Sequence, residues 1–256
     1  MTTCAVLLDQ AGELPPPDLL ADVIETQAGF PRPAAVRLAT RARWFIWENA
    51  PAESAQAVAQ GLSAAGFATR AVPQGAVVPP TNPRRVHVLN LEGDALGVQL
   101  KYTGPLTWIP WDEVLVLSAG AIKTETRTTE VRETVVARGI VVVDSRVQVD
   151  LERAILAEIY ATAPSLGELL CLRLNSREVN YAQTIGGSIN ESWREKFSLL
   201  LARLGLRATS AAVSPQTEAL LAAGLMPDNA ALNPYFSSED EFALYNRWLA
   251  TRKRLG

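Results

Sequence analysis

The chain has 256 residues, 48% hydrophobic and 20% charged, the values of an ordinary globular protein rather than of a disordered or fibrous one. A formal net charge of −3 excludes a chain-wide polyanion binder, so no nucleic acid is expected as a partner. The single histidine, His87, excludes metal centres built on several histidines, and no cofactor or metal is expected.

Two cysteines, Cys4 and Cys171, share no local spacing and read as buried reduced thiols rather than a disulfide. Met1 to Gln10 carries no basic region and is followed at once by Pro15, Pro16 and Pro17, so it does not read as a signal peptide. No run approaches the roughly 20 apolar residues of a membrane span. A cytoplasmic location is the expectation.

In chain order, Cys4 to Leu8 reads as a buried strand. Asp18 to Ala28 reads as a helix, with Leu19, Leu20, Val23 and Ile24 on one face and Gly29 as its stop. Ala34 to Ala42 is a second short helix, and Trp44 to Trp47 has the aromatic and β-branched composition of a strand. Pro51 opens a third helix with Ala55, Val58, Leu62 and Ala65 inward and Gly66 as its stop, and Phe67 to Val72 returns as a strand. The predicted order is β-α-α-β-α-β. It is closed by Pro73-Gln-Gly-Ala-Val-Val-Pro-Pro-Thr-Asn-Pro83, whose prolines read as a linker and a domain boundary.

Two stretches in this module, Val23 to Leu38 and Ala50 to Gly66 with its Ala64-Ala65-Gly66 ending, resemble the C-terminal domain of the bacterial ribosomal stalk protein L7/L12. The resemblance implies that fold. The lysine-rich factor-binding surface of that family is replaced by scattered Arg32, Arg37, Arg41 and Arg43, so the ribosomal role is not implied.

After the linker the periodicity changes to strands, at Val86 to Leu91, Ala95 to Tyr102, Ile109 to Gly120, Gly139 to Val143, Arg153 to Thr162 and Glu168 to Leu174. Lys123 to Thr134, rich in threonine and alternating charge, reads either as an exposed hairpin or as a mobile loop. A helix is predicted over about Glu191 to Leu204, with Trp193 and Phe197 buried and Ser188 to Glu191 as its capping box. Several antiparallel strands closed by such a helix, with the Ile109-Pro-Trp-Asp-Glu-Val114 entry, resemble a bacterial pleckstrin-homology-like (PH-like) barrel. The tail holds a short helix, Gln216 to Ala223 ended by Gly224, and a last helix from Ser237 to about Arg254. That last helix is capped at Ser238 and striped by Phe242, Tyr245, Trp248 and Leu249. The fold class is therefore α+β. It comprises a small α/β module (1–78), a mainly antiparallel β domain with a capping helix (84–208) and a helical tail (209–256).

Chemistry-bearing residues are few. His87 sits in an apolar strand pattern, and Gly186-Gly-Ser188 lacks the flanks of a nucleotide-binding loop. Asp112 and Glu113 are neighbours that a strand sends to opposite faces, and Glu239 to Glu241 suit a helix N-terminus. Trp47, Trp108, Trp111, Tyr245 and Trp248 are the candidate interaction surface, because aromatic residues are enriched at interface centres. The expected function is a non-enzymatic protein-interaction or scaffold protein with a protein partner. One alternative is lipid-headgroup or membrane-surface binding through Arg84, Arg85 and Lys101. The other is an enzyme using His87 or a serine near Gly187.

Overall fold

The structure, a computed structural model, describes residues 2–10, 14–100, 104–136, 140–186, 192–222 and 236–256, and the side chains of all of these except 123–136 and 140–154. Among the described residues it is a mixed α+β protein with seven α-helices and three mostly antiparallel sheets.

The first module runs β1 (Thr3–Leu8), α1 (Pro17–Ala28), α2 (Arg32–Arg41), β2 (Phe45–Pro51), α3 (Ala52–Ala64) and β3 (Thr69–Pro73), in the order that the sequence predicts. Its three antiparallel strands lie β2-β1-β3, with a bulge in β2 at Asn49, which takes a positive φ of 55°. The central strand is buried on both faces, as its unbroken run Ala5-Val6-Leu7-Leu8 demands. Val6 and Leu8 pack with Leu20, Ile24, Val58 and Leu62 of the helices. Ala5 and Leu7, at the alternate positions, enter a different core.

That different core continues through the proline-rich segment. Val77 and Val78 are 5% and 0% exposed, so the linker begins as part of the packed interior. The next strands are β4 (Arg84–Arg85), β5 (Leu89–Asn90), β6 (Ala95–Gln99) and β7 (Leu106–Pro110). Pro110 ends β7, because it has no N–H to carry the ladder onward, and a 3₁₀ turn over Trp111–Glu113 follows. The single strand expected over 109–120 is thereby split between two sheets.

The chain then enters β8 (Val114–Val136) and returns along β9 (Ile140–Ala163), strands of 23 and 24 residues. The two strands expected at 139–143 and 153–162 are one, and the segment left as a hairpin or a loop is paired throughout. After β10 (Glu168–Asn175) come α4 (Tyr181–Thr184), α5 (Trp193–Arg207), β11 (Ala212–Val213), α6 (Pro215–Ala222) and α7 (Glu239–Leu255). One sheet has the order β11-β8-β9-β10-β4 and another β5-β6-β7. Between them lies a core of Leu96, Val98, Ile109, Ile159, Phe197 and Leu200, with α5 filling one side. Phe197 is buried as expected, whereas Trp193 is only half-buried beneath Arg177 and Arg194, whose guanidinium carbons lie 5.9 and 5.3 Å from its ring centroid. The cap of α5 is Ser192 with Glu195, whose carboxylate accepts the Ser192 N–H at 2.7 Å and is held below the usual carboxylate range by it. The Ser188 to Glu191 box lies outside the described residues.

α7 fills the space between the first module and the β8–β9–β10 sheet. Phe242, Tyr245, Trp248 and Leu249 are buried, and so are Asn246, Arg247, Ala250 and Thr251 on the other side of the same helix. Trp248 Nε1 donates to the Leu8 carbonyl of β1 at 2.7 Å. Arg247 grips Glu48 with both terminal nitrogens and donates from Nε to the Val78 carbonyl at 2.7 Å. Thr251 Oγ1 accepts the Val78 N–H at 3.1 Å. On the sheet side a close approach requires Gly120, where an added Cβ would meet Phe236 at 3.0 Å and Phe242 at 3.3 Å.

Candidate functional site

The body of the large sheet ends at a definite line. Along the outer edge of β8, β11 pairs with Val116 and Leu117, Thr217 Oγ1 accepts the Ala119 N–H at 2.6 Å, and Phe236 bridges to Ile122. Along the outer edge of β9, pairing with β10 stops at Leu156. Beyond these points, positions 123–136 and 140–153 pair only with one another among the described residues, through fourteen register pairs from Lys123↔Arg153 to Val136↔Ile140. At the usual strand rise this ribbon is about 48 Å long.

Directly opposed residues of an antiparallel pair lie on one face, so the register sorts the ribbon's residues by parity. Odd positions carry Val131 and Val135 on β8 and Val141, Val143, Val147, Val149 and Leu151 on β9, together with the charged residues Lys123, Glu125, Arg127, Glu133 and Arg153. Even positions carry threonines and charges, and are apolar only at Val136, Ile140 and Val142. In the body of the sheet the odd face is the one that covers the core beneath α5, since Leu117, Ala119, Ile155 and Ile159 belong to it.

Of the five aromatic residues expected to form a surface, Trp108 is the one that is exposed, at 47%. It stands opposite Gly97 on the outward face of β7, and a Cβ at Gly97 would meet its Cζ3 at 2.9 Å. The glycine lets the indole lie flat on the sheet. Trp111 is half-buried, its Nε1 donating to the Gly93 carbonyl at 3.2 Å. Trp47 is half-buried edge-on against Phe30, 5.0 Å between centroids. Tyr245 and Trp248 correct the expectation: at 2% and 0% exposure they belong to the interior and offer no surface. The structure therefore does not gather the five into one patch.

The residues considered for catalysis or lipid binding are engaged otherwise. His87 Nδ1 lies 3.2 Å from the Glu178 carbonyl, and its own carbonyl accepts the Asn180 N–H at 2.7 Å, which ties β5's approach to α4. Ser188 and Gly187 lie outside the described residues, as does Lys101. Arg84 pairs with Glu168 at 2.8 Å and Arg85 with Glu178 at 3.7 Å, so acids accompany both basic residues. Asp112 and Glu113 fall in the 3₁₀ turn rather than on a strand. Among the described residues, no three His, Cys, Asp or Glu side chains gather closely enough to hold a metal ion. No described helix is long and apolar enough to cross a membrane. Both cysteines are free, Cys171 buried and Cys4 half-buried.

Sequence reasoning missed a buried polar node. Glu158 is 0% exposed on β9 and receives Arg173 Nη2 at 2.5 Å, Arg173 Nε at 2.8 Å and Asn246 Nδ2 of α7 at 2.8 Å. Arg173 also reaches Glu239, at the start of α7, at 2.5 Å. Beside the node, burial pushes the Cys171 thiol and the Tyr160 hydroxyl up, with the Glu158 charge adding to both. A thiol held protonated this way is a poor nucleophile. Glu158 is closed to solvent while Glu239 stands at the surface, and the node joins α7 to the sheet; no partner for these groups is near in sequence, so no local pattern marks it.

One open cleft of about 580 Å³ lies between α4 and α5, with Glu92, Arg203, Arg207 and the 77% exposed Leu206 at its wall. Arg203 already donates to the Ile185 carbonyl at 3.3 Å, and the wall mixes both charge signs. Against known proteins, the chain matches no protein family model, no curated protein and no solved structure.

Proposed function

We propose that this is a non-catalytic protein-interaction or scaffold protein of the cytoplasm, and that its docking element is the two-stranded ribbon rather than an aromatic patch. The observation that carries the reading is the fourteen-pair extension of β8 and β9 beyond every described flanking strand. An isolated two-stranded ribbon is marginal in water, and strand edges unpaired among the described residues are a template for pairing with another molecule. In this reading the strands from β4 to β10 with α5 are a PH-like domain, and the first module is stalk-domain-like. The two serve as the body that holds the ribbon rigidly.

The test replaces residues 125–151 with an Asn-Gly turn. The shortened chain keeps the melting temperature of the intact protein and loses association, read by sedimentation of each chain and by capture with each chain as bait. Association that survives the replacement unchanged overturns the reading. So does turnover of a small substrate that His87→Gln abolishes.

A further inference from the structure

We propose that the cleft between α4 and α5 is a binding site for a small monocarboxylate on an apolar stem. The inference uses no residue of the ribbon and stands or falls apart from the interaction reading. The cleft measures about 580 Å³, inside the range of small-molecule sites. Its apolar lining includes Leu91, 7% exposed, and the half-buried Ile185. The backbone around both is tied down. Thr184 Oγ1 accepts the Leu89 N–H at 3.2 Å, and the Ile185 N–H reaches the Tyr181 carbonyl at 2.9 Å. The space is thus formed before anything enters it.

The positive charge comes from α5. At 3.6 residues per turn, Leu199, Arg203, Leu206 and Arg207 fall within one arc of about 100°. All four are exposed, Leu206 most of all at 77%. A lone exposed leucine carries no message, but this one lines the cleft together with both arginines. Among the described residues neither arginine meets a carboxylate. Arg203 Nη1 donates to the Ile185 carbonyl at 3.3 Å, and Arg207 Nη1 to the Gly93 carbonyl at 3.5 Å. Arg173 and Arg247, by contrast, are clamped by Glu158 and Glu48. A guanidinium with donors to spare takes a carboxylate through two parallel N–H···O bonds.

The surroundings set the ligand's charge at one. Glu92 lines the same cleft, so two guanidinium groups stand against one carboxylate and leave a single positive charge. Arg207 also lines an adjoining pocket of about 340 Å³, and there its companions are Asp94 and Asp112. A phosphate monoester or a nucleotide would bring its further negative charges against these three acids. A monocarboxylate satisfies the arginines without that repulsion, and its apolar stem covers Leu206 and Ile185. Glu92 opposes even this ligand, so its removal is the diagnostic change.

The probe is octanoate, titrated below its micelle concentration into the full chain carrying labelled leucine and isoleucine methyl groups. The Leu206 and Ile185 resonances should shift and saturate in roughly the millimolar range, the affinity of about ten heavy atoms at ordinary ligand efficiency. Octanamide, the same stem without the charge, should bind at least about fivefold more weakly, and octylammonium should not compete. Arg207→Gln should weaken octanoate binding by about fivefold or more. Glu92→Gln should tighten it by about two- to threefold, with the melting temperature of both variants unchanged. A gain at Glu92 is an effect that a merely structural role does not produce. Equal binding of octanoate and octanamide overturns the proposal, as does indifference to both substitutions. So do shifts at the exposed Leu166 as large as those at Leu206, or no saturable shift at all.

Discussion

Glu158 has no exposed surface, and an unaccompanied carboxylate in such a place would cost several kcal/mol in desolvation. Arg173 supplies two of its hydrogen bonds and Asn246 a third, so the charge is both neutralised and fully engaged on its inner side. Arg173→Met leaves the carboxylate facing apolar neighbours and should destabilise the protein by about 3–5 kcal/mol in urea unfolding. Glu158→Gln keeps a hydrogen-bonding group and removes the charge, so it should cost less. Equal losses for the two variants would mean that packing rather than charge pairing governs this position. At this scale the sequence was informative where chemistry is local. Gly29 and Gly66, expected as helix stops, do take left-handed φ values of 68° and 93°. It was silent where partners are remote: the groups that Asn246 and Arg247 hold lie 88 and 199 residues away.

α7 illustrates the same limit one level up. Its stripe of Phe242, Tyr245, Trp248 and Leu249 was legible from 3.6-residue periodicity, and so was its Ser238 cap. What periodicity hid is that the polar side of the helix is buried as well, where Asn246 Nδ2, the Arg247 guanidinium and Thr251 Oγ1 each meet a dedicated partner. The final basic residues behave as expected of a helix terminus, Lys253 and Arg254 exposed and Arg252 laid over Trp248 with its guanidinium carbon 4.9 Å from the ring centroid. Trp248→Ala removes a fully buried indole and its bond to Leu8, and should cost about 3–5 kcal/mol. Trp248→Phe retains most of the packing and should cost less, the difference measuring the lost hydrogen bond together with the smaller ring. The ribbon was half-legible for a related reason. Its β8 half shows little apolar alternation of its own, and only the register brings the valine-rich β9 half alongside it.

The whole molecule is three cores in a row. One lies among α1, α2, α3 and the first sheet, one around α7, and one between the two larger sheets and α5. The middle core draws Leu7, Phe45, Val72 and Val78 from the first module, and Val116, Tyr160 and Cys171 from the sheet beyond. Residues 1–78 expressed alone should therefore show a bare apolar face. The expected outcome is strong binding of a hydrophobic dye and self-association on gel filtration, neither of which the full chain shows through this face. A monomeric, dye-silent fragment would mean that the first module repacks without α7.

The helix at the centre of these contacts is synthesised long after the strands that it covers. The β3 strand is complete at Pro73, whereas α7 begins at Glu239. At common elongation rates the interval is roughly 10–30 s. During that time the Leu7 and Phe45 face of the nascent chain lacks the cover that α7 gives it. Bonds such as that between Trp248 and Leu8, spanning 240 residues, place this protein among slow, high-contact-order folders. The period of greatest exposure to aggregation and to chaperones thus falls between synthesis of the third strand and synthesis of α7.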